Sequence, residues 1–325
     1  MNRQFSFPPY LETELKRIFA LEGWTWSSRQ LAQDILQLSD YYIRNPQAST
    51  PWDKAWAQRA LLTYYWPLNT IRFQAVYQEL KHVHFFSGLD HLVDFGAGPA
   101  TASHILSRDF SNLDLIEDSK VPQRWFPQFT WRGEPEVKTT STVVFCYSLT
   151  ELRKLPAWAE NAEALVILEP ATQQDGRQLL SLRQDLLTRG FFAWAPCPHQ
   201  MACPLLTHSK SDWCHDRVEV LAPAWFTEIE QHLPIKNRTI TMSYLAMRRT
   251  SPPKADWVRV TGDRLDEKGK SRQLVCRGPE REFMAWMHRE GQPPEIFRGE
   301  RVQLQEFTHK SNELRMGRVS RVEST

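Results

Sequence analysis

The sequence predicts an α/β protein: a parallel sheet covered by helices, with a helical region ahead of the sheet and a small β-rich module behind it. Three observations lead there. Apolar residues recur three or four positions apart from Pro9 to about Val83, short apolar runs alternate with helical patterns from His91, and a two-residue alternation takes over beyond Pro252-Pro253.

In the first region Leu11, Leu15, Ile18 and Phe19, then Leu31, Ile35, Leu36 and Leu38, then Trp56, Ala60, Leu61 and Tyr64 mark about four helices. Ser27 or Ser28 caps the second, and Asn45-Pro46 ends it. The aromatics here, among them Trp24, Trp26, Tyr41, Tyr42, Trp52, Trp56 and Trp66, are expected to pack between helices and not to form a base-stacking surface. His91 to Phe95, Leu113 to Ile116, Thr142 to Cys146 and Leu165 to Leu168 then read as strands separated by helical segments such as Leu179 to Leu187, the pattern of a parallel sheet. Phe191 to Ala195 and Thr239 to Met247 are expected as a terminal hairpin at its edge. Beyond the double proline, Trp257 to Val260, Gln273 to Cys276, Glu282 to Met287 and Val302 to Leu304 read as short strands with turns at Gly262-Asp263 and Gly269. The expected segments are 1–85 (helical), 86–250 (sheet, with a cysteine-rich insertion at 196–216) and 251–325 (basic and β-rich).

A chain of 325 residues with 41% apolar and 24% charged residues has material for two domains or one enlarged one, and its composition excludes a disordered protein. A net charge of +2 is too small to coat nucleic acid by bulk charge, so any nucleic-acid site is local. The last 75 residues carry 15 Lys and Arg against 12 Asp and Glu, the preceding 250 carry 25 against 26, and the basic excess therefore sits in the C-terminal module. No run is long enough to span a membrane and no secretory signal is evident, while Glu12 and Glu14 argue against a mitochondrial transit peptide. The expectation is a soluble intracellular protein. Five cysteines without an export signal point to a metal site or buried thiols ahead of a disulfide framework.

The loop Asp94-Phe95-Gly96-Ala97-Gly98-Pro99-Ala100 lies between a strand and a helix, where glycines let the backbone turn sharply and approach a ligand. Glu117 follows 21 residues after Gly96, at the end of the next strand, where a carboxylate can accept hydrogen bonds from both ribose hydroxyls of a nucleoside. Ala100 stands where a dinucleotide site favours a third glycine, and no P-loop is present. With Asp94 two residues before Gly96, the loop resembles the signature of S-adenosylmethionine-dependent methyltransferases. At the end of the fourth strand, Cys146 to Leu152 contains neither an Asn/Asp-Pro-Pro-aromatic motif nor a Pro-Cys nucleophile. Cofactor binding is thus better supported than methyl transfer.

Cys197-Pro198-His199, Cys203-Pro204 and Trp213-Cys214-His215 bring three thiols within 18 residues, and Cys276 is a distant fourth. Four thiolates satisfy either tetrahedral zinc or a four-iron, four-sulfur cluster, with His199, His208 or His215 able to replace a thiol in either. Cys146, in the apolar run Thr142 to Cys146, reads as a small buried hydrophobe.

Taken together, Val93 to Ala100, Ser148 to Leu152, Leu168-Glu169-Pro170, the cysteine block with Asp212-Trp213-Cys214-His215, and Ser243-Tyr244-Leu245 resemble the methyltransferase-like proteins of the mitochondrial small ribosomal subunit and their bacterial relatives, over about residues 30–280. That resemblance implies a Rossmann-like methyltransferase core, S-adenosylmethionine bound by Asp94, Gly96, Gly98, Glu117 and Ser148, and a [4Fe-4S] cluster held by Cys197, Cys203, Cys214 and Cys276, with zinc as the alternative. It also implies a role on small-subunit ribosomal RNA or a pre-ribosomal particle, in a bacterial cytoplasm or a mitochondrial matrix; a monomer is expected when the protein is free.

Two functions follow as expectations. The first is an S-adenosylmethionine-dependent RNA methyltransferase with RNA lying along Arg259, Arg264, Lys268, Lys270, Arg272 and Arg277. The second is a non-catalytic ribosome-binding assembly factor with a structural zinc or iron-sulfur site. A radical enzyme is disfavoured, because the cysteine spacing departs from Cys-x-x-x-Cys-x-x-Cys. No residue is singled out as the general base.

Overall fold

The computed structural model describes residues 3–45, 48–152 and 154–322. In chain order the regular elements are β1 (Gln4–Ser6), α1 (Pro9–Glu22), α2 (Ser28–Arg44), α3 (Ala55–Ala60), a π-helical turn (Leu61–Tyr65), α4 (Trp66–His82), β2 (His91–Phe95), α5 (Thr101–Leu106), β3 (Asn112–Ile116), α6 (Lys120–Trp125), β4 (Thr130–Arg132), β5 (Ser141–Cys146) and α7 (Leu149–Leu152). There follow β6 (Ala164–Glu169), α8 (Gln173–Thr188), β7 (Phe192–Ala195), α9 (Pro204–Thr207), β8 (Asp216–Leu221), α10 (Ala224–Glu230), β9 (Thr239–Arg248), β10 (Val258–Val260), β11 (Leu265–Glu267), β12 (Lys270–Cys276), β13 (Glu282–Met287), β14 (Arg301–Lys310) and β15 (Glu313–Arg321). No helix among the described residues is long and apolar enough to cross a membrane.

These elements gather into two compact units, one of residues 1–77, 88–162 and 218–240 and the other of residues 78–87, 163–217 and 241–325. The partition follows a different line from the three sequence segments: the cysteine-rich insertion and the C-terminal module belong to one unit.

In the first unit β5, β2, β3 and β4 lie side by side, all parallel, with His91 to Phe95 in register with Asn112 to Ile116 on one side and Ser141 to Phe145 on the other. α5 and α6 make the crossovers that parallel pairing requires. This is the Rossmann-like core, preceded by the expected helical region. Ser27 caps α2 by accepting from the Gln30 N–H, and α2 ends at Arg44; Pro46 lies outside the described residues. Leu11, Leu15, Ile18, Leu31, Ile35 and Leu38 form the helical core with Trp66, Trp125 and Phe126, and Trp24, Tyr41, Tyr42, Trp52 and Trp56 pack against it. Trp26, though 38% exposed, packs as expected, against Phe19 of α1 (5.1 Å between ring centres) and Trp225 of α10 (6.0 Å). At the far end of the sheet from the glycine loop, buried His91 bridges Ser141 Oγ (2.8 Å) and Asp114 Oδ2 (3.2 Å), which ties three strands together.

In the second unit β9 pairs antiparallel with β6 along residues 243–248 and with β7 at its last residues. The expected hairpin is therefore half right: β9 is an inner strand with β6 on one side and the short β7 on the other. The C-terminal module is a ring of strands in which β10 pairs with β12 and β14, β12 with β13, β13 with β15 and β15 with β14, with β11 added outside β12. All are antiparallel except β13–β15. Its interior is Val260, Val275, Met284, Trp286, Val302 and Leu314 with Ile296 and Met316.

One expectation fails here. The cations assigned to an RNA-facing patch are engaged within the protein. Arg259 is 1% exposed and donates to Glu79 (2.8 Å), Asp216 and Tyr244 (3.0 Å), and Arg301 reaches the same Glu79 at 3.4 Å. Arg264 pairs with Asp266, Lys270 with Glu313, Arg272 with Glu267 and Arg277 with Glu282, which leaves Lys268 with no ion pair among the described residues. A buried guanidinium without partners would lose several kcal/mol of hydration, and Arg259 is accordingly surrounded by two acids and a hydroxyl.

Removing one member of such a buried network leaves the others uncompensated, at a cost of about 3–5 kcal/mol. Glu79→Gln should lower stability in denaturant unfolding by an amount in this range, whereas Glu290→Gln, on an exposed Arg289 pair, should stay within about 0.5 kcal/mol.

Candidate functional site

The first site is the turn after β2. Gly96 (φ 65°) and Gly98 (φ 48°) take left-handed conformations, and so does Ala100 at φ 56°. Gly96 is irreplaceable for a second reason, since a Cβ there would lie 2.4 Å from Ser148 Cβ. Ser148 stands just past the end of β5, and its hydroxyl donates to Phe95 O at 2.6 Å, bracing the loop from behind. The Glu117 carboxylate accepts from Gly98 N–H through Oε2 (3.0 Å) and from Ser119 N–H through Oε1 (3.1 Å). Each oxygen keeps a further lone pair, which is what a vicinal diol would use. Burial raises the Glu117 pKa, opposed by these backbone donors. Asp94 is 1% exposed; its Oδ2 accepts from Ser103 N–H (3.2 Å) and Oγ–H (2.6 Å), and its Oδ1 has no partner. Burial pushes its pKa up to about 6, partly offset by the Ser103 bonds. The five expected cofactor residues thus surround one turn: Ser148 packs under Gly96 and bonds to Phe95 O, Gly98 donates to Glu117, and Asp94 ties the end of β2 to Ser103 of α5.

A neighbouring group was missing from the expectation. Although much of Glu151 is exposed, desolvation of its carboxyl raises its pKa, with Ser49 hydrogen-bonded to it and Glu117 and Asp118 repelling it. Ser49, between α2 and α3, thus lies against Glu151. Glu151 belongs to the Ser148 to Leu152 segment, so its place in the sequence was the available signal.

The second site lies in the second unit. All five cysteines are free thiols, and Cys146 is only partly buried. Burial pushes the Cys214 thiol up, and Cys197, Asp216 and Cys203 push it further; burial does the same to Cys276, reinforced by Cys197, Cys214 and Cys203. The four expected ligands are thus near enough to feel one another's charge. Arg183, 1% exposed on α8, organises their loop: Nε donates to Cys197 Sγ at 3.0 Å and the terminal nitrogens donate to Met201 O (3.0 Å) and His199 O (2.6 Å). His199 Nε2 lies 3.3 Å from Cys276 Sγ. Trp213 closes on α8 because position 176 is glycine, where a Cβ would lie 2.5 Å from the indole, and Ser243 donates to Cys214 O at 2.9 Å. Cys203 also joins an apolar cluster with Leu180, Leu205, Leu274 and Phe283. Among the described residues, however, no group of three or more His, Cys, Asp and Glu side chains could hold a single metal ion. The expected iron-sulfur or zinc ligation is therefore not shown. Sequence reasoning missed Arg183, though an arginine on the apolar stripe of Leu179, Leu180 and Leu186 was a signal of a buried charge with a partner.

Comparison with protein families decides the relationship. The model described as mitochondrial small ribosomal subunit Rsm22 matches residues 123–291, just over half of the chain. The chain belongs to the Rsm22 family. The match includes Ser148 and all four clustered cysteines, whereas Asp94, the glycine loop and Glu117 precede it. No curated protein matches the sequence. Among solved structures, M. capricolum TrmK in complex with S-adenosyl-homocysteine overlaps 54% of this Rsm22-family chain and 69% of its own at 8% identity and a TM-score of 0.32. A Thermoplasma acidophilum protein overlaps 55% and 95% at 13% identity and 0.31, and the 23S rRNA methyltransferase ErmE 55% and 70% at 11% and 0.30. The assignment rests on the family model and not on these overlaps.

Two outcomes test the loop. Gly96→Ala should destabilise by at least about 2 kcal/mol through left-handed strain and the Ser148 contact, and adding Ser148→Gly should recover part of the loss by removing the contact; thermal unfolding of the three variants checks both. The folded pKa of Asp94, about 6, lies above its ordinary value of 3.8, so the native state holds the proton more tightly. Its contribution to stability is fully present below about pH 4 and is lost as pH rises through about 6, by up to about 3 kcal/mol. Asp94→Asn should therefore gain stability relative to the wild type between pH 4 and pH 7 in urea titrations.

Proposed function

We propose that this chain is an S-adenosylmethionine-binding, iron-sulfur-containing factor that acts on small-subunit ribosomal RNA as a methyltransferase-like assembly protein. The observation that carries the proposal is the pairing of Rsm22-family membership with a glycine loop closed onto Glu117. In this reading Glu117 accepts the ribose hydroxyls, the Gly96 to Gly98 backbone lies along the cofactor, and Asp94 and Ser148 fix the loop. When bound, the cofactor supplies an electrophilic methyl group. The residues of this chain bind and orient it. The unpartnered Asp94 Oδ1 and the unused lone pairs of Glu117 fit a polar ligand at this place.

That no three His, Cys, Asp or Glu side chains among the described residues could hold one ion supports a cluster over a single zinc. Thiolates on one zinc must sit within about 4 Å of one another, given bonds of about 2.3 Å. A four-iron, four-sulfur cube holds them further apart at four corners. Cys197, Cys203, Cys214 and Cys276 would hold it, and Arg183 beside Cys197 would offset its negative charge. The cluster would supply a structural crosslink within the unit. The residues 251–325 would then act as a module fixed to the insertion.

A non-catalytic assembly role is favoured by one observation, the absence of an Asn/Asp-Pro-Pro-aromatic motif and of a Pro-Cys nucleophile at Cys146 to Leu152. Two measurements decide between the readings. Anaerobically purified protein is expected to contain near four irons and four acid-labile sulfides per chain and to lose most of both in Cys214→Ser; one zinc without sulfide, or no metal, overturns the cluster. Methyl groups from radiolabelled S-adenosylmethionine are expected in unmodified small-subunit RNA; tight cofactor binding without incorporation leaves the assembly role.

A further inference from the structure

The strand ring of the C-terminal module has a specific order. Taking β10, β12, β13, β14 and β15 as its first to fifth strands, the first pairs with the second and fourth, the second with the third, and the third, in parallel, with the fifth. That connectivity is the five-stranded barrel used widely to bind oligonucleotides, through the face of its second and third strands and the loops between strands one and two and strands four and five. Topology alone assigns nothing, so the surface has to be found residue by residue. In this chain the face of the second and third strands is not free. Leu274 on β12 and Phe283 on β13 are buried against Leu180, Cys203 and Leu205, and Asp212 of the insertion holds Arg281 at 2.7 Å.

What stays open is the hairpin of the fourth and fifth strands. β14 and β15 pair through Lys310 and Glu313, and every residue from Gln305 to Asn312 is exposed. The hairpin carries Phe307, 39% exposed, with the Arg277 guanidinium 5.7 Å from its ring centre. Lys310 and Arg318, both exposed, have no ion pair among the described residues. An exposed aromatic ring backed by a guanidinium is a platform for an unpaired base, and free cations on the same hairpin match the phosphates of the strand that carries it.

We propose that the β14–β15 hairpin is a docking surface for single-stranded RNA, with a base stacked on Phe307 and the backbone met by Lys310 and Arg318. The inference rests on the RNA-acting reading above and adds where the RNA is held. It corrects the sequence expectation in physical terms: the RNA-facing cations of this module are those without acidic partners.

The test uses the full chain and fluorescence anisotropy with a labelled uridine dodecamer and a 12-base-pair RNA duplex, at several salt concentrations. Phe307→Ala should weaken dodecamer binding about 5-fold or more, as loss of one stacked base does, with the salt dependence unchanged. Lys310→Gln/Arg318→Gln should weaken it and lower the slope of log K against log salt by about 1.4, for two phosphate contacts on a single strand. The duplex should bind more weakly than the dodecamer. Dodecamer binding that is equal in the wild type and both variants overturns this inference and leaves the RNA reading standing. Failure of the wild type to bind either RNA, with S-adenosyl-homocysteine still bound, overturns the RNA reading and this inference with it. If the variants lose affinity for small ribosomal subunits but keep it for the dodecamer, the hairpin contacts protein, and the proposal is overturned.

Discussion

The second unit depends on one buried cation. Arg259 brings together Glu79 from α4, Asp216 from β8 and Tyr244 from β9, three points far apart in sequence, and Arg301 adds a second guanidinium on Glu79. A charge inside a protein is tolerated only where opposite charges and hydrogen bonds replace its water, so this cluster fixes the identity and position of every member. Apolar packing of Val260, Val275 and Met284 could be met by several arrangements of strands, whereas the guanidinium accepts few. Such a network specifies which segments meet, more than it adds to net stability.

The same logic of buried charge recurs beside the thiols. Arg183 donates to the Cys197 sulfur and simultaneously caps two carbonyls of the Cys197 to Met201 loop. Burial raises the Cys203 and Cys276 thiols, and the Arg183 charge acts against that rise, in the direction that metal binding to thiolates requires. In the first unit the arrangement is of opposite sign. Glu151 lies close enough to Glu117 and Asp118 for their charges to oppose its ionisation.

Much of this was legible in the sequence, and for identifiable reasons. The strands β2, β5 and β6 are buried along nearly their whole length and show as unbroken apolar runs, and α2 shows as a periodic stripe behind a serine cap. β8 was passed over because Asp216 and Arg217 open it and charged residues alternate through it, and β15 because Gly317 and three arginines interrupt its pattern. Short β1 and β4, three residues each, leave no period to detect. At the site, Gly96, Gly98 and Glu117 were readable because backbone turning and ribose recognition demand particular residue types. The engagement of Arg259, Arg272 and Arg277 was not readable, since their partners Glu79, Glu267 and Glu282 are set by the fold and not by spacing. A cation looks the same in sequence whether it faces solvent or an acid.

The second unit is also threaded from three separate stretches of chain, the last of which begins at residue 241. Cys214 leaves the ribosome 62 residues ahead of Cys276. At about 5–20 residues per second, three thiols and the underside of Leu180 and Leu205 wait some 3–12 seconds for the strands that cover them. During synthesis this half of the molecule is therefore an incomplete shell with reactive sulfur at its opening, and the window for loading or oxidising it is set by the pace of translation.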